Sequence, residues 1–275
     1  MITEQHLHLD SGAAFFLQLT RGVAPGALYD SQNRDVASPA GIQAAALQSV
    51  LIWMSNEGSR PILCINGHSR TLNSTIARII AEEWAKRQEL GASFFFDSNR
   101  PKCDSIRYFA TTIAFQLAQS LPDFHSRLVK SMHDDPFILD RPISVQVEKL
   151  ISEPLRSFTT RGPFLIIIDA LDDCAGKEDQ RKVLAHISGL VRAHPGLLRF
   201  IVVGLPASHS RCLFNHHDFC SLSTSFVLRE MAQYKPTRKH SVIEAFVPIG
   251  KGGLMFLHSP NLNPIVIFFL AINNI

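Results

Sequence analysis

The chain has 275 residues, 46% of them apolar and 19% charged, enough to bury a proper core in one large domain, or one domain plus a fragment. A net charge of +3 with no block of Lys and Arg gives no argument for nucleic acid, so none is expected as a partner. The five cysteines, Cys64, Cys103, Cys174, Cys212 and Cys220, are odd in number and lack CxxC spacing, which reads as scattered reduced thiols in a cytoplasmic protein.

The opening "MITEQHLHLD" has no basic region followed by an apolar core and so is no secretory signal. Residues 1–40, interrupted by Gly12, Gly22, Pro25, Gly26 and Pro39, are expected to form a partly ordered leader. Gln43–Met54 carries apolar residues at helical spacing. Ile62–Ile65 then reads as a strand, and Ser74–Arg87 as a helix with Ile76, Ile80 and Trp84 on one face. "ASFFF" (Ala92–Phe96) has the length of a buried strand. Asp104 is expected to cap the next helix, whose stripe is Ile106, Ala110, Ile113 and Leu117. Helices are expected over Asp123–Met132 and Ser144–Phe158. "FLIIID", the helix "KEDQRKVLAHISGLVRAH", the strand Arg199–Gly204 and a further strand over Ser225–Glu230 complete the alternation.

Strands that are apolar throughout are buried on both faces, so the fold class is α/β, a parallel sheet flanked by helices. Beyond about Tyr234 the alternation fails. Residues 234–275 are expected to be an irregular tail, a candidate for truncation of a longer protein. Its apolar run Ile265–Ile272 is far below the roughly 20 residues of a membrane span, so no membrane is expected either.

Two segments carry chemistry. In "FLIIIDALDDC" the apolar run delivers Asp169 to the carboxyl end of a strand, where parallel α/β sheets bind ligands. A carboxylate there can hold Mg²⁺, Ala170 leaves room beside it, and Asp172 and Asp173 can orient and deprotonate an attacking water. The second segment, "PILCINGHSRTLNSTIARIIAEEW", runs strand, loop, helix.

The chain resembles the NACHT-type STAND P-loop NTPases, specifically the nephrocystin-like N-terminal domains found in fungi. The resemblance runs from about Ala27 to Met231 through "ALYDSQNRD", "LNSTIARIIAEEWAKR", "ELGASFFF", "CDSIRYFATTIAFQLA", "FLIIIDALDDC" and "RFIVVGLPASH". It implies a three-layer P-loop NTPase-like sandwich over residues 41–233 and a nucleotide-dependent switch for signalling or assembly, with other proteins as partners. It further implies ATP or ADP with Mg²⁺, nucleotide contacts from Gly67, Asn73, Ser74 and Thr75, metal contacts from Ser74 and Asp169, and catalytic acids at Asp172 and Asp173.

The departures fall within the phosphate loop. The family pattern GxxxxGK[ST] uses glycines to let backbone N–H groups curl around phosphate and a Lys to pair with the outer phosphates. Here Gly67 and Ser74 match the ends, but Leu72 replaces the second Gly and Asn73 the Lys. A non-glycine residue forced left-handed costs roughly 1–2 kcal/mol, and a lost charge-assisted contact roughly 1.5–3 kcal/mol. Together these amount to about a hundredfold or more in affinity. Leu205 stands where the family carries an Arg suited to the terminal phosphate, and Arg70 is expected to be a solvated surface cation. ATP binding and hydrolysis are therefore expected to be weak or lost.

Two alternatives stand beside this reading. One is a nucleotide-free pseudo-NTPase scaffold that binds other proteins. The other, a minor one, is a serine hydrolase, since "GHSRT" resembles a nucleophile elbow and Ser69, Asp169 and His209 occur in the matching chain order. Against it, Thr71 replaces the last elbow Gly. "HHDFC" (His216–Cys220) has ligand-type residues but no second cluster at zinc spacing.

Overall fold

Strands buried on both faces need a helical layer on each side. In a computed structural model of the chain, describing residues 14–31, 40–67, 69–156, 158, 162–204, 217–228, 245–249 and 253–257, that is the arrangement found. The strands are β1 (Ile62–Gly67), β2 (Leu90–Phe95), β3 (Phe164–Asp169), β4 (Leu198–Gly204) and β5 (Ser223–Leu228). They form one all-parallel sheet in the order β2-β3-β4-β1-β5. β1 and β3 are thus separated only by β4, and their carboxyl ends lie along the same edge.

The alternating side chains of each strand enter two separate cores. On one face Leu63, Ile65, Phe95, Leu165, Ile167, Ile201 and Val203 meet α2 (Ala40–Ser55) and α3 (Arg70–Lys86), with Ile76, Ile80 and Trp84 fully buried as their spacing predicts. On the other, Cys64, Phe94, Ile166, Ile168, Phe200 and Val202 meet α4 (Phe109–Ser120), α5 (Pro122–Asp134) and α8 (Lys177–Ala193). The result is the expected three-layer P-loop NTPase-like sandwich.

Differences from the sequence expectation have local causes. α3 begins at Arg70 rather than Ser74, because Ser69 caps it: the Leu72 N–H donates to Ser69 Oγ at 3.3 Å. Ser105, not Asp104, caps the next element, a 3₁₀ turn at Ile106–Tyr108 that leads into α4. The expected helix over Ser144–Phe158 is α6 (Ile143–Val147), a π-helical turn (Glu148–Ser152) and a last turn, α7 (Glu153–Leu155). α9 (His217–Leu222) precedes β5. The tail holds an antiparallel pair, β6 (Ala245–Ile249) with β7 (Gly253–Leu257), two short apolar runs around a glycine-rich triplet.

The edge of β2 is covered rather than left open. Gln116 of α4 mimics a neighbouring strand: its Oε1 accepts from the Ser93 N–H at 2.9 Å and its Nε2 donates to the Ser93 carbonyl at 2.8 Å. From the N-terminal side, α1 (residues 14–21) buries Leu19 and stacks Phe16 on Phe115. The Tyr29 N–H donates to Ser93 Oγ. Residues 14–31, expected within a partly ordered leader, are therefore part of the packed structure.

At the amino end of β4, the middle strand of the sheet, Arg199 reaches to the end of α2. It is 8% exposed, stacks over Trp53, and donates to the carbonyls of Trp53 and Asn56, capping the carboxyl end of α2. The cysteines among the described residues, Cys64, Cys103, Cys174 and Cys220, form no disulfide with one another, and burial pushes the Cys64 thiol up to about 12. Among the described residues no helix is long and apolar enough to cross a membrane.

Arg199→Met keeps most of the apolar stem but removes this donor from the buried Trp53 carbonyl and leaves the Asn56 carbonyl with the Ser59 N–H alone. It is expected to cost about 1–3 kcal/mol, read as a lower urea midpoint with an unchanged m-value.

Candidate functional site

The site lies where β1 and β3 end. Asp169 closes β3 and is only 2% exposed. Burial pushes its carboxyl up to about 7, while a hydrogen bond from the Ser74 hydroxyl and another from the Ala170 N–H oppose the rise. One carboxylate oxygen, Oδ1, has no hydrogen-bond partner among the described residues. Ala170 then takes a left-handed conformation (φ 50°, ψ 43°), rare for a residue with a Cβ, and its N–H donates to the Val203 carbonyl at 3.1 Å. That turn and the following 3₁₀ turn, Leu171–Asp173, bring Asp172 and Asp173 to the rim.

On the β1 side the phosphate-loop positions from Arg70 onward are helical. No glycine lies between Gly67 and Ser74, so nothing favours open left-handed turns, and Arg70–Asn73 join α3. Asn73 is 2% exposed. Its Nδ2 donates to the Gly67 carbonyl at 3.1 Å and to the Gly204 carbonyl at 2.7 Å. The amide in the lysine's position thus ties the carboxyl ends of β1 and β4 together and points into backbone, away from any ligand.

Arg70, at the first position of α3, is not the solvated cation its sequence context suggests. Its guanidinium meets Asp172 Oδ2 at 2.5 Å and Asp173 Oδ1 at 2.5 Å. The Asp173 hydrogen bond raises Arg70 above its ordinary value. Beneath this bridge is a cavity of about 290 Å³, lined by the first turns of α3, by Phe95–Asp97 and Asn99 after β2, and by Asp169, Ala170 and Asp173.

Of the residues singled out in the sequence, Ser74, Thr75, Asp169 and Asp173 therefore share one cavity. Asp172 joins through Arg70, whereas Gly67 and Asn73 stand behind the wall. Leu205 and His209 lie outside the described residues. Ser69 is engaged as a helix cap, and Asp169 bonds to Ser74. His216 also lies outside, and among the described residues no cluster of three or more His, Cys, Asp or Glu is placed to hold a metal ion.

Thr71, Arg78, Asp97 and Asn99 were missed. Asp97 follows the "ASFFF" run as Asp169 follows "FLIII", a signal at hand in the sequence. Thr71, Ser74, Thr75 and Arg78 form the i, i+3, i+4, i+7 face opposite the apolar stripe.

The residues fit the two halves of a Mg²⁺–nucleotide differently. The orphaned, buried Oδ1 of Asp169, with the Ser74 hydroxyl beside it, suits a hard cation that keeps several waters. The phosphate half does not fit: the loop is helical, and the side chain at the lysine position is spent on carbonyls.

Residues 45–204 match the family model described as Nephrocystin 3, N-terminal. No curated protein matches the chain. Among solved structures it is similar to chains of Drosophila ORC bound to poly(dA/dT) DNA and Cdc6 (TM-score 0.47, 10% identity, 83% of this chain and 34% of that one). It is also similar to chains of Drosophila ORC bound to DNA (TM-score 0.45, 11% identity, 83% and 35%). The chain spans about a third of the length of these structures. The expectation that excluded nucleic acid as a partner is corrected here: these neighbours are complexes on DNA, so a modest net charge is no ground for the exclusion. The likeness is one of fold, and DNA binding is stated of ORC alone.

Folding raises the Asp169 carboxyl from 3.8 to about 7, so the native state holds a proton that the unfolded chain releases between those values. The cost of the buried charge is absent below the lower value, grows through the interval, and is complete above the upper one. Asp169→Asn is therefore expected to match wild type near pH 4 and to be more stable at pH 8, by up to roughly 3–4 kcal/mol. Denaturant titrations at the two pH values test this.

Proposed function

The chain belongs to the Nephrocystin 3, N-terminal family, and on that premise we propose that it is a nucleotide-switch domain of the STAND type with a weakened hold on the triphosphate. One observation carries the second half of this reading: the Asn73 amide donates to the carbonyls of Gly67 and Gly204 within a helix that starts at Arg70. A phosphate-binding loop offers N–H groups and a cation to its ligand. Here Ser69 takes the Leu72 and Asn73 N–H groups, and the side chain in the lysine's position is neutral and donates to backbone carbonyls.

The cation half of the site is better preserved. Ser74 and Asp169 would hold Mg²⁺, which, when bound, neutralises phosphate charge. Asp172 and Asp173 are engaged by Arg70, so neither is free to orient a water in this state. The chain's own residues therefore support binding of a cation more readily than hydrolysis. The same closure favours a second reading, a nucleotide-free scaffold that recruits other proteins through its surface.

Thermal shift separates the two. Millimolar ATP or ADP with Mg²⁺ is expected to raise the melting temperature of wild type by about 1 °C or less. The double variant Leu72→Gly, Asn73→Lys is expected to start from a lower melting temperature, having lost the carbonyl ties, and to gain several degrees with nucleotide. Brisk Mg²⁺-dependent ATP turnover by wild type, lost in Asp169→Ala, would overturn the weakened-switch reading. No response to nucleotide in either protein leaves the scaffold.

A further inference from the structure

A second groove lies between the N-terminal helix and the segment that follows α5. Two adjoining hollows, of about 250 Å³ and about 370 Å³, share Arg107, Leu139 and Asp140 and so form one trough. The end of α1 makes one wall, residues 136–142 and Gln146 of α6 make the other, and Tyr108 and Thr111 around the start of α4 complete the lining. The trough shares no lining residue with the cavity at Asp169.

Its walls are pinned. Gln18 Nε2 donates to the Pro136 carbonyl at 2.9 Å, Phe15 meets His133 edge-on, and Lys102 Nζ donates to the Arg21 carbonyl at 3.0 Å. The Thr111 hydroxyl donates to the Gly22 carbonyl, and a Cβ at Gly22 would come within 3.0 Å of Thr111 Cγ2. A groove fixed in advance loses little freedom when it is filled.

Three observations say what fills it. The first is charge: Arg21, Arg107 and Arg141 line the trough against one acid, Asp140. Arg21 has no acidic partner among the described residues. The Arg107–Asp140 contact is a long 3.5 Å pair between exposed side chains and contributes little, while Arg141 is held by Asp135 at 2.9 Å. The second is apolar surface. Leu17 and Phe137, 67% and 69% exposed, are the most exposed large apolar side chains among the described residues. Each is the chain neighbour of a partner in the Gln18–Pro136 bond, and Leu17 shares a face of α1 with Arg21, one turn on. The third is an unmet acceptor. Gln146, 2% exposed, spends both Nε2 hydrogens on the carbonyls of Leu139 (3.0 Å) and Arg141 (2.8 Å), which fixes its amide orientation. Its Oε1 is buried and has no partner among the described residues. A bare buried acceptor is costly and calls for a donor.

We propose that the trough is a docking groove for an extended acidic peptide segment of another protein. The carboxylates of the segment meet the three arginines, a Leu or Phe anchor packs on Leu17 and Phe137, and one backbone N–H reaches Gln146 Oε1. That last contact favours peptide over nucleic acid, whose phosphodiester backbone carries acceptors and no N–H. Asp135 and Asp140 would also repel a run of phosphates. The inference does not rest on either reading of the nucleotide site, since a switch and a scaffold both have use for such a groove.

The test is selection of a random dodecapeptide display library on the immobilised full chain, followed by fluorescence anisotropy of the labelled selected peptides. These are expected to be enriched in Asp and Glu around one Leu or Phe. Their affinity is expected to fall about tenfold or more in the double variant Arg21→Ala, Arg107→Ala, and again in Phe137→Ala. All three side chains are exposed, so the variants are expected to fold, and far-UV CD with a thermal melt checks it. N-methylation of successive backbone amides of a selected peptide is expected to cost about tenfold at one internal position.

A selection without acidic enrichment would overturn the proposal, as would peptides that bind the double arginine variant as tightly as wild type. Tolerance of N-methylation at every position removes the Gln146 contact and the ground for preferring peptide. Displacement of the peptides by a single-stranded (dT)₁₂ oligonucleotide at lower concentration than by unlabelled peptide makes the groove one for nucleic acid, and the proposal falls.

Discussion

The site is organised around one side chain, Asn73, which joins two strands by donating to the last carbonyl of β1 and the last of β4. Carbonyls at the carboxyl edge of a parallel sheet have no further ladder partner and, when buried, need a donor. An amide on the first turn of the following helix supplies it, but only if that turn is helical and packed against the sheet. The consequence for ligand chemistry follows directly. A loop that must stay open to offer its N–H groups to phosphate cannot also be a helical turn that satisfies the sheet, and here the second arrangement has won. Leu72 is compatible with that choice: it is half-buried against the core on the α2 side, as a residue in a helix and not in a left-handed loop.

Much of the fold was legible because it rests on burial, and burial leaves a strong trace in sequence. The unbroken apolar runs at Ile62–Ile65, Phe164–Ile168 and Phe200–Val203 lie in central strands, and the Ile76/Ile80/Trp84 spacing gave the face of α3 that meets the sheet. The placement of Asp169 at the end of such a run was equally readable, since one carboxylate after five apolar residues has few other places to go. Asp97, after "ASFFF", obeys the same logic and was passed over because a single acid there matches no motif.

What was not legible depends on pairings between distant segments. That Arg70 would meet Asp172 and Asp173 requires knowing that α3 begins four residues early, which in turn depends on Ser69 acting as cap. Local propensity is nearly neutral on that point, and the tertiary fit of Asn73 decides it. The N-terminal arm is a similar case. Glycines and prolines at 22–26 break any helical period, yet Leu19, Val23, Ala24 and Ala27 are all buried, because the open edge of β2 and the side of α4 offer backbone and hydroxyl partners such as Ser93 and Thr112. The irregularity of that stretch in sequence is the irregularity of an edge covering.

The replacements in the loop also make sense jointly, through charge. A site with Asp169, Asp172 and Asp173 at one edge concentrates negative charge, and a lysine in the loop would ordinarily offset part of it. With Asn73 in that position the offset is gone, and two responses are visible. Asp169, buried beyond reach of solvent, is held toward its protonated form. Asp172 and Asp173, nearer the surface, are met by Arg70 from the first turn of α3. The helical turn is thus both cause and remedy: by replacing the open loop it removes the phosphate-binding geometry, and by presenting Arg70 to the rim it supplies the cation the acids would otherwise lack. A change at Asn73 alone therefore acts on the strand ends, on the start of α3 and, through Arg70, on the acids, so the three cannot be treated as independent sites.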